Sequence, residues 1–174
     1  MQLLHKILGV VVMLGLALGA SAQQADESAQ ASDPLFVHSA AQSNIYEIGS
    51  SRLAVQNAGG QEVKDFAQKI IDDHTKATSQ LIAAVEGLDI RPTADMTQAQ
   101  QLKVNYLGTL QGPEFEAAYL EQQVLAHEEA VSLFETASSM VQEQQLKTFI
   151  DETLPVLQEH LQMAQELMQA SGNE

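Results

Sequence analysis

The segment QEVKDFAQKIIDDHTKATSQLIAAVEGL, residues 61–88, decides the fold. Its apolar residues recur in alternating steps of four and three, which is the spacing of one buried helix face in a bundle. The residues of this face are Val63, Ala67, Ile70, His74, Ala77, Leu81, Ala84 and Leu88. The segment therefore predicts a helix, ending near Gly87, whose buried face carries one titratable residue, His74.

Three further long segments show the same helical period, and no segment shows the alternation of a strand. Asp33-Pro34 predicts the start of the first helix, with the aspartate as N-cap, and this helix ends near Asn57. Two later helices are predicted at about residues 113–140 and 143–170. Pro155 lies inside the last of them and predicts a kink or a break.

The connections between these segments predict the fold. The short connections join helices one and two, and helices three and four, into antiparallel hairpins. The longer link between helices two and three carries a short amphipathic helix at about residues 96–110. We therefore expect an all-α fold over residues 33–171: a ferritin-like four-helix bundle with one long connection.

The first residues have the pattern of an exported protein. A weakly basic start precedes the apolar run of residues 7–19, and Ala20-Ser21-Ala22 fits a signal peptidase site. Residues 1–22 are predicted to be a secretory signal peptide, and residues 23–32 a flexible polar linker. The apolar run is shorter than the roughly 20 residues that span a bilayer, which disfavours an uncleaved anchor. We expect a soluble bacterial protein of the periplasm or exterior.

The composition narrows the classes of partner and chemistry. The chain has 23 Asp and Glu against 8 Lys and Arg, and its formal net charge is −15. Such a chain repels nucleic acid and anionic lipid, so neither is an expected partner. Cysteine is absent from the sequence, which excludes disulfides and thiol chemistry. Protein partners are not indicated.

Three histidines are in phase with apolar helix faces: His74, His127 and His160. His127 and His160 have their midpoint at 143.5, close to the predicted turn, so they lie at one level of their hairpin. In the other hairpin, Glu47 lies 13 residues before residue 60 and His74 lies 14 after it. The sequence thus predicts one polar layer of three histidines with Glu47 as its fourth member.

Three interpretations of this layer stay open. Three imidazoles and a carboxylate form a complete ligand set for one divalent transition metal, with Asp73 and Glu128 as partners that orient the rings. The layer is otherwise a structural polar layer that fixes helix register in a protein with a structural or stress-related role, or a cleft open to solvent. A small organic ligand is an alternative to the metal.

An enzymatic activity is not predicted. A di-iron carboxylate centre needs Glu-x-x-His on two helices. Three residues before the histidines stand Ile71, Val124 and Leu157, and none of these is a carboxylate. The sequence therefore lacks the ferritin-type oxidoreductase signature.

Short motifs along the predicted domain resemble a known family. The motifs are Leu35-Phe36-Val37, Lys64-Asp65-Phe66-Ala67, Asp72-Asp73-His74, Ala126-His127-Glu128, Thr153-Leu154-Pro155 and Glu159-His160-Leu161. From Asp33 to Met168 the chain resembles the bacterial exported family called domain of unknown function 4142, of the ferritin-like superfamily. The resemblance implies a ferritin-like fold and export, and it implies no known reaction.

Overall fold

The structure, a computed structural model, describes the backbone of residues 18–171 and the side chains of residues 32–171. Within these residues the chain forms five helices and no strand. The helices are α1 (Leu18–Asn57), α2 (Gln61–Ala84), α3 (Gln98–Leu107), α4 (Gly112–Met140) and α5 (Gln144–Ser171). The predicted all-helical fold is confirmed, and the ends of α2 to α5 lie within a few residues of their predicted positions.

The buried core consists of two apolar clusters, one near each end of the bundle. The first contains Phe36, Leu81, Phe134 and Leu157, among others. The second contains Phe66, Phe115, Leu120 and Ala164, among others. Along each long helix, buried polar residues separate the two clusters: Asn44, Glu47, Ser50 and Ser51 on α1, His74 on α2, Gln123 and His127 on α4, and His160 on α5.

The long helices pack as two hairpins. Helix α1 packs on α2, and α4 packs on α5, while α1 also contacts α4 and α2 also contacts α5. Residues 84 and 85 at the end of α2 belong to the first cluster, and Phe115 near the start of α4 belongs to the second. The connection between them therefore spans the length of the bundle, and its helix α3 packs on α1 and α4.

The start of α1 differs from the prediction. The helix begins at Leu18 and continues through Pro34, so the predicted linker, residues 23–32, lies within it. The Asp33 carboxylate does not cap α1. It accepts hydrogen bonds from the backbone N–H groups of Gln142 (2.9 Å) and Glu143 (3.0 Å), directly before α5. Asp33 has the chemistry of an N-cap, but it serves unpaired N–H groups of another hairpin.

The turn of the first hairpin is held in the same way. Glu116 of α4 accepts hydrogen bonds from the backbone N–H groups of Gly59 and Gly60, directly before α2. Each hairpin thus supplies a carboxylate to the turn of the other hairpin. These two contacts fix the relative height of the hairpins and hence of the polar residues between the clusters.

Two further expectations concern α5 and the N-terminus. Helix α5 is continuous through Pro155, so the predicted break is wrong. Residues 1–17 of the predicted signal peptide lie outside the described residues, and the predicted cleavage point after Ala22 lies within α1. None of the described helices is both long enough and apolar enough to cross a bilayer.

Candidate metal centre

The three histidines that share apolar helix faces come together between the two clusters. His74, His127 and His160 are each at most 2% exposed. Their ring centroids lie 5.7 Å apart for His74 and His127, 5.5 Å for His74 and His160, and 5.3 Å for His127 and His160. One ring nitrogen of each lies within 4.8 Å of those of the other two. We call these three residues the histidine layer.

One nitrogen of each ring is held by an oxygen atom. His74 Nδ1 lies 2.9 Å from Asn44 Oδ1 on α1. His127 Nδ1 lies 2.9 Å from the backbone carbonyl of Gln123, one turn earlier on α4. His160 Nε2 lies 2.9 Å from Asp73 Oδ2 on α2. Since all three oxygens accept, each of these ring nitrogens carries the hydrogen and donates it.

The second nitrogen of each ring is therefore a bare lone pair. His74 Nε2, His127 Nε2 and His160 Nδ1 are buried and have no hydrogen-bond partner among the described residues. Metal-binding histidines in proteins show this arrangement, with one ring N–H donated to an oxygen and the other nitrogen free to ligate.

The histidines are electrically neutral at neutral pH. Burial lowers the pKa of His74 well below its usual value of 6.5, and His127 and His160 add to this effect by charge repulsion. Burial, then the neighbouring His160, lowers the pKa of His127 to about 4. Burial also lowers the pKa of His160, although Asp73 acts in the opposite direction. Neutral imidazole is the form that binds a metal ion.

Asp73 connects the histidine layer to the surface. Its side chain is 30% exposed and also pairs with Lys69 at 3.0 Å, and Lys69 in turn lies 3.3 Å from Glu159. Partial burial acts to raise the pKa of Asp73, but hydrogen bonds from His160 and Lys69 outweigh it and lower that pKa. Asp73 is therefore a carboxylate that accepts the hydrogen of a neutral His160.

Glu47 is buried, but it lies beside the histidine layer rather than in it. Only 1% of Glu47 is exposed, and its Oε2 accepts a hydrogen bond of 2.6 Å from Gln123 Nε2. The same nitrogen lies 3.4 Å from Ser50 Oγ. Burial raises the pKa of Glu47 to about 8, against the opposing effects of Gln123 and Lys103. We call Glu47, Ser50 and the Gln123 side chain the glutamate layer.

The group of ligand atoms within 4.8 Å comprises the three histidines and does not include Glu47. The height of the first hairpin explains this. His74 faces Asn44, so the hairpin is centred on residue 59 rather than near 60.5, the midpoint of Glu47 and His74. A shift of 1.5 residues in the centre moves the opposite residue by three. A direct bond from Glu47 to a metal therefore stays a prediction.

Sequence reasoning found some of the outer partners of the rings and missed others. Asp73 does hold a histidine, but it is His160 of α5 rather than its neighbour His74. Glu128 is exposed at the surface and is not one of the three oxygen partners. Asn44 and Gln123 were not predicted. Their signal is weak, because a buried amide in phase with an apolar face is recognised only once its partner is known.

The three inner nitrogens fit a metal ion. Three atoms within 4.8 Å of one another all lie within about 2.8 Å of a common point, which is 4.8 Å divided by √3. A zinc–nitrogen bond is about 2.0–2.1 Å, so small rotations of the rings bring all three to bonding distance. The donor set of three neutral imidazoles suits zinc, copper and similar divalent ions.

Comparison with known proteins identifies one family. The sequence model of the family described as "Domain of unknown function (DUF4142)" matches residues 18–167, which include the histidine and glutamate layers. No curated protein and no solved structure matches the chain.

Proposed function

The chain belongs to the DUF4142 family, a domain of unknown function, and from its histidine layer we propose that it binds one divalent transition metal ion. The ligands are His74, His127 and His160. The observation that carries the proposal is the convergence of three bare imidazole lone pairs, each on a ring whose other nitrogen donates to an oxygen.

The energetic cost of the layer supports a bound cation. A buried polar atom without a partner costs roughly 1 to 3 kcal/mol, and three such atoms lie together here. All three are acceptors, so they do not satisfy one another. One water molecule has only two hydrogens and leaves at least one nitrogen unpaired, whereas one metal ion accepts all three lone pairs.

The experiment is a metal titration of the full chain produced without a histidine tag and stripped of metal by a chelator. We expect one Zn²⁺ per chain in competition with a chromophoric chelator. His127→Ala and His160→Ala each lose affinity by a factor of about 100 or more, because a three-ligand site loses a ligand. His38→Ala is the matched control, since His38 is exposed on α1. Sub-stoichiometric Zn²⁺, or equal affinity in His127→Ala, contradicts the proposal.

A structural role of the layer is the second candidate. Its hydrogen bonds join α1 to α2 through Asn44 and His74, α1 to α4 through Glu47 and Gln123, and α2 to α5 through Asp73 and His160. Such bonds fix the register of packed helices at some cost in stability. This role predicts that His160→Leu raises the melting temperature and that Zn²⁺ leaves the wild-type melting temperature unchanged.

We further propose a ferritin-like arrangement of the four long helices. The crossover that carries α3, from the first-cluster end of α2 to the second-cluster end of α4, supports it. An experimental structure in which α2 and α4 are not parallel contradicts this arrangement.

Export to the periplasm or exterior is also a proposal, and it is supported by the pattern of residues 1–22. Mass spectrometry of the protein from a periplasmic extract tests it, and the expected mature chain begins at Gln23. A stress-related role predicts that deletion of the gene impairs bacterial growth in excess zinc or copper.

A further inference from the structure

The open side of the proposed metal site faces α1. The histidines come from α2, α4 and α5, and α1 supplies no ligand. Instead α1 supplies Asn44, which bonds to His74, and Glu47, which bonds to Gln123. A site with three protein ligands and one position for an exchangeable ligand is the arrangement of catalytic rather than structural zinc sites.

Glu47 lies at a distance that suits an indirect contact with a metal. It is three residues from Asn44, which is level with His74, so its backbone lies about 4.5 Å further along the helix axis. A metal–oxygen bond of about 2.1 Å followed by a hydrogen bond of about 2.7 Å spans a similar distance. The spacing therefore leaves room for one atom between the metal and Glu47.

Two acceptor atoms of the glutamate layer are left without partners. Glu47 Oε1 and Gln123 Oε1 are buried and accept no hydrogen bond from any described residue. The Gln123 amide is oriented, because its Nε2 lies within hydrogen-bond distance of Glu47 Oε2 and Ser50 Oγ. One donor is also left in the same region, Asn44 Nδ2.

We propose that the fourth ligand of the metal is a water molecule whose two hydrogens are accepted by Glu47 Oε1 and Gln123 Oε1. Its oxygen bonds to the metal and accepts a hydrogen from Asn44 Nδ2. One metal ion and one water then account for all six buried side-chain atoms that lack partners in the described part of the chain. This inference rests on the proposed metal site and makes Glu47 a positioning residue for an exchangeable, monodentate ligand.

The test uses Co²⁺ as a spectroscopic probe and azide as the competing ligand. Azide replaces a metal-bound water and changes the visible absorption of Co²⁺. Azide has no hydrogen to donate, so in the wild-type protein it leaves the Glu47 and Gln123 oxygens unpaired. In Glu47→Gln, an amide N–H takes the place of Oε1 and donates to azide. We expect azide to bind at least about tenfold more tightly to this variant.

Ser51→Ala is the matched control. Ser51 is buried on the same helix and pairs with Tyr119 at 2.8 Å, away from the atoms assigned to the water. We expect its azide affinity to match the wild type. Azide affinities within twofold of each other in wild type and Glu47→Gln overturn the inference, and so does a tenfold change in Ser51→Ala.

A second measurement does not depend on any variant. Cu²⁺-loaded wild-type protein in D₂O, studied by electron spin echo spectroscopy, is expected to show the exchangeable deuterons of a directly bound water. Their absence overturns the inference. If Co²⁺ and Cu²⁺ do not bind through the histidines, the proposed function itself fails. If they bind but no water is found, only the fourth ligand is wrong.

Discussion

The histidine layer and the glutamate layer lie next to each other in the same bundle, and burial acts on both in the same physical way. Burial disfavours charge, so it lowers the pKa of His127 to about 4 and raises the pKa of Glu47 to about 8. At neutral pH both layers are therefore held in their uncharged forms before any metal binds.

The two layers differ in where their polar atoms point. The glutamate layer contains its own donor, since Gln123 Nε2 donates to Glu47 Oε2. In the histidine layer every ring N–H is used by an oxygen outside the cluster, and three lone pairs face one another. Burial of polar groups alone thus does not make a metal site. The convergence of acceptors without a donor does.

The largest expected effect separates the layers by metal-dependent stability. Zn²⁺ at a free concentration of 1,000 times its Kd stabilises the folded protein by about 4 kcal/mol. For a chain of this size the melting temperature then rises by about 10 °C. We expect this rise in wild type and, for the most part, in Glu47→Gln, but none in His127→Leu. An equal rise in all three proteins, measured by calorimetry, contradicts the contrast between the layers.

A smaller effect concerns the oxygens that orient the rings. Asp73→Ala and Asn44→Ala each remove one partner of a histidine N–H, and loss of such a partner costs about 10- to 100-fold in metal affinity. Asp72→Ala is the control, because Asp72 is exposed and bonds only to Gln68 on its own helix. Zn²⁺ competition titrations compare the three variants, and unchanged affinity in Asp73→Ala shows that Asp73 does not orient a ligand.

The pH dependence of metal-free stability tests the glutamate layer. The pKa of Glu47 in the folded protein, about 8, is above its usual value of 4.5, so its contribution is present below pH 4.5 and is lost as pH rises toward 8. The histidines behave oppositely, because their lowered pKa values make stability fall as pH drops below 6.5.

Glu47→Gln removes only the first of these effects. We expect the free energy of unfolding of this variant, relative to wild type, to increase between pH 5 and pH 8 by up to about 1.4 kcal/mol per pH unit. Urea unfolding at several pH values measures the difference, which the histidines do not affect because both proteins contain them. A difference that is constant with pH shows that Glu47 is ionised in the fold.

The smallest expected effect comes from carboxylates outside both layers. Asp33→Ala and Glu116→Ala each remove hydrogen bonds to a hairpin turn and are expected to cost about 1 kcal/mol of stability. Metal affinity is expected to stay within twofold of wild type in both. A tenfold loss of Zn²⁺ affinity instead shows that the turn contacts set the geometry of the histidine layer.

The sequence by itself determined the helices and the inward direction of the three histidines. Both depend on helical phase, which is a local property visible in steps of three and four residues. The level of His127 with His160 was also predictable, because the turn between their helices was placed correctly and the two rings do lie in contact.

Only the tertiary structure decided the partners of those histidines. An offset of 1.5 residues in the centre of the first hairpin puts Asn44 opposite His74 and leaves Glu47 one turn away. The docking of the two hairpins brings Asp73 to His160, and it takes Asp33 from the predicted start of α1 to the turn before α5. Helical phase fixes which way a side chain points, but contacts between helices depend on height and docking, which no local pattern encodes.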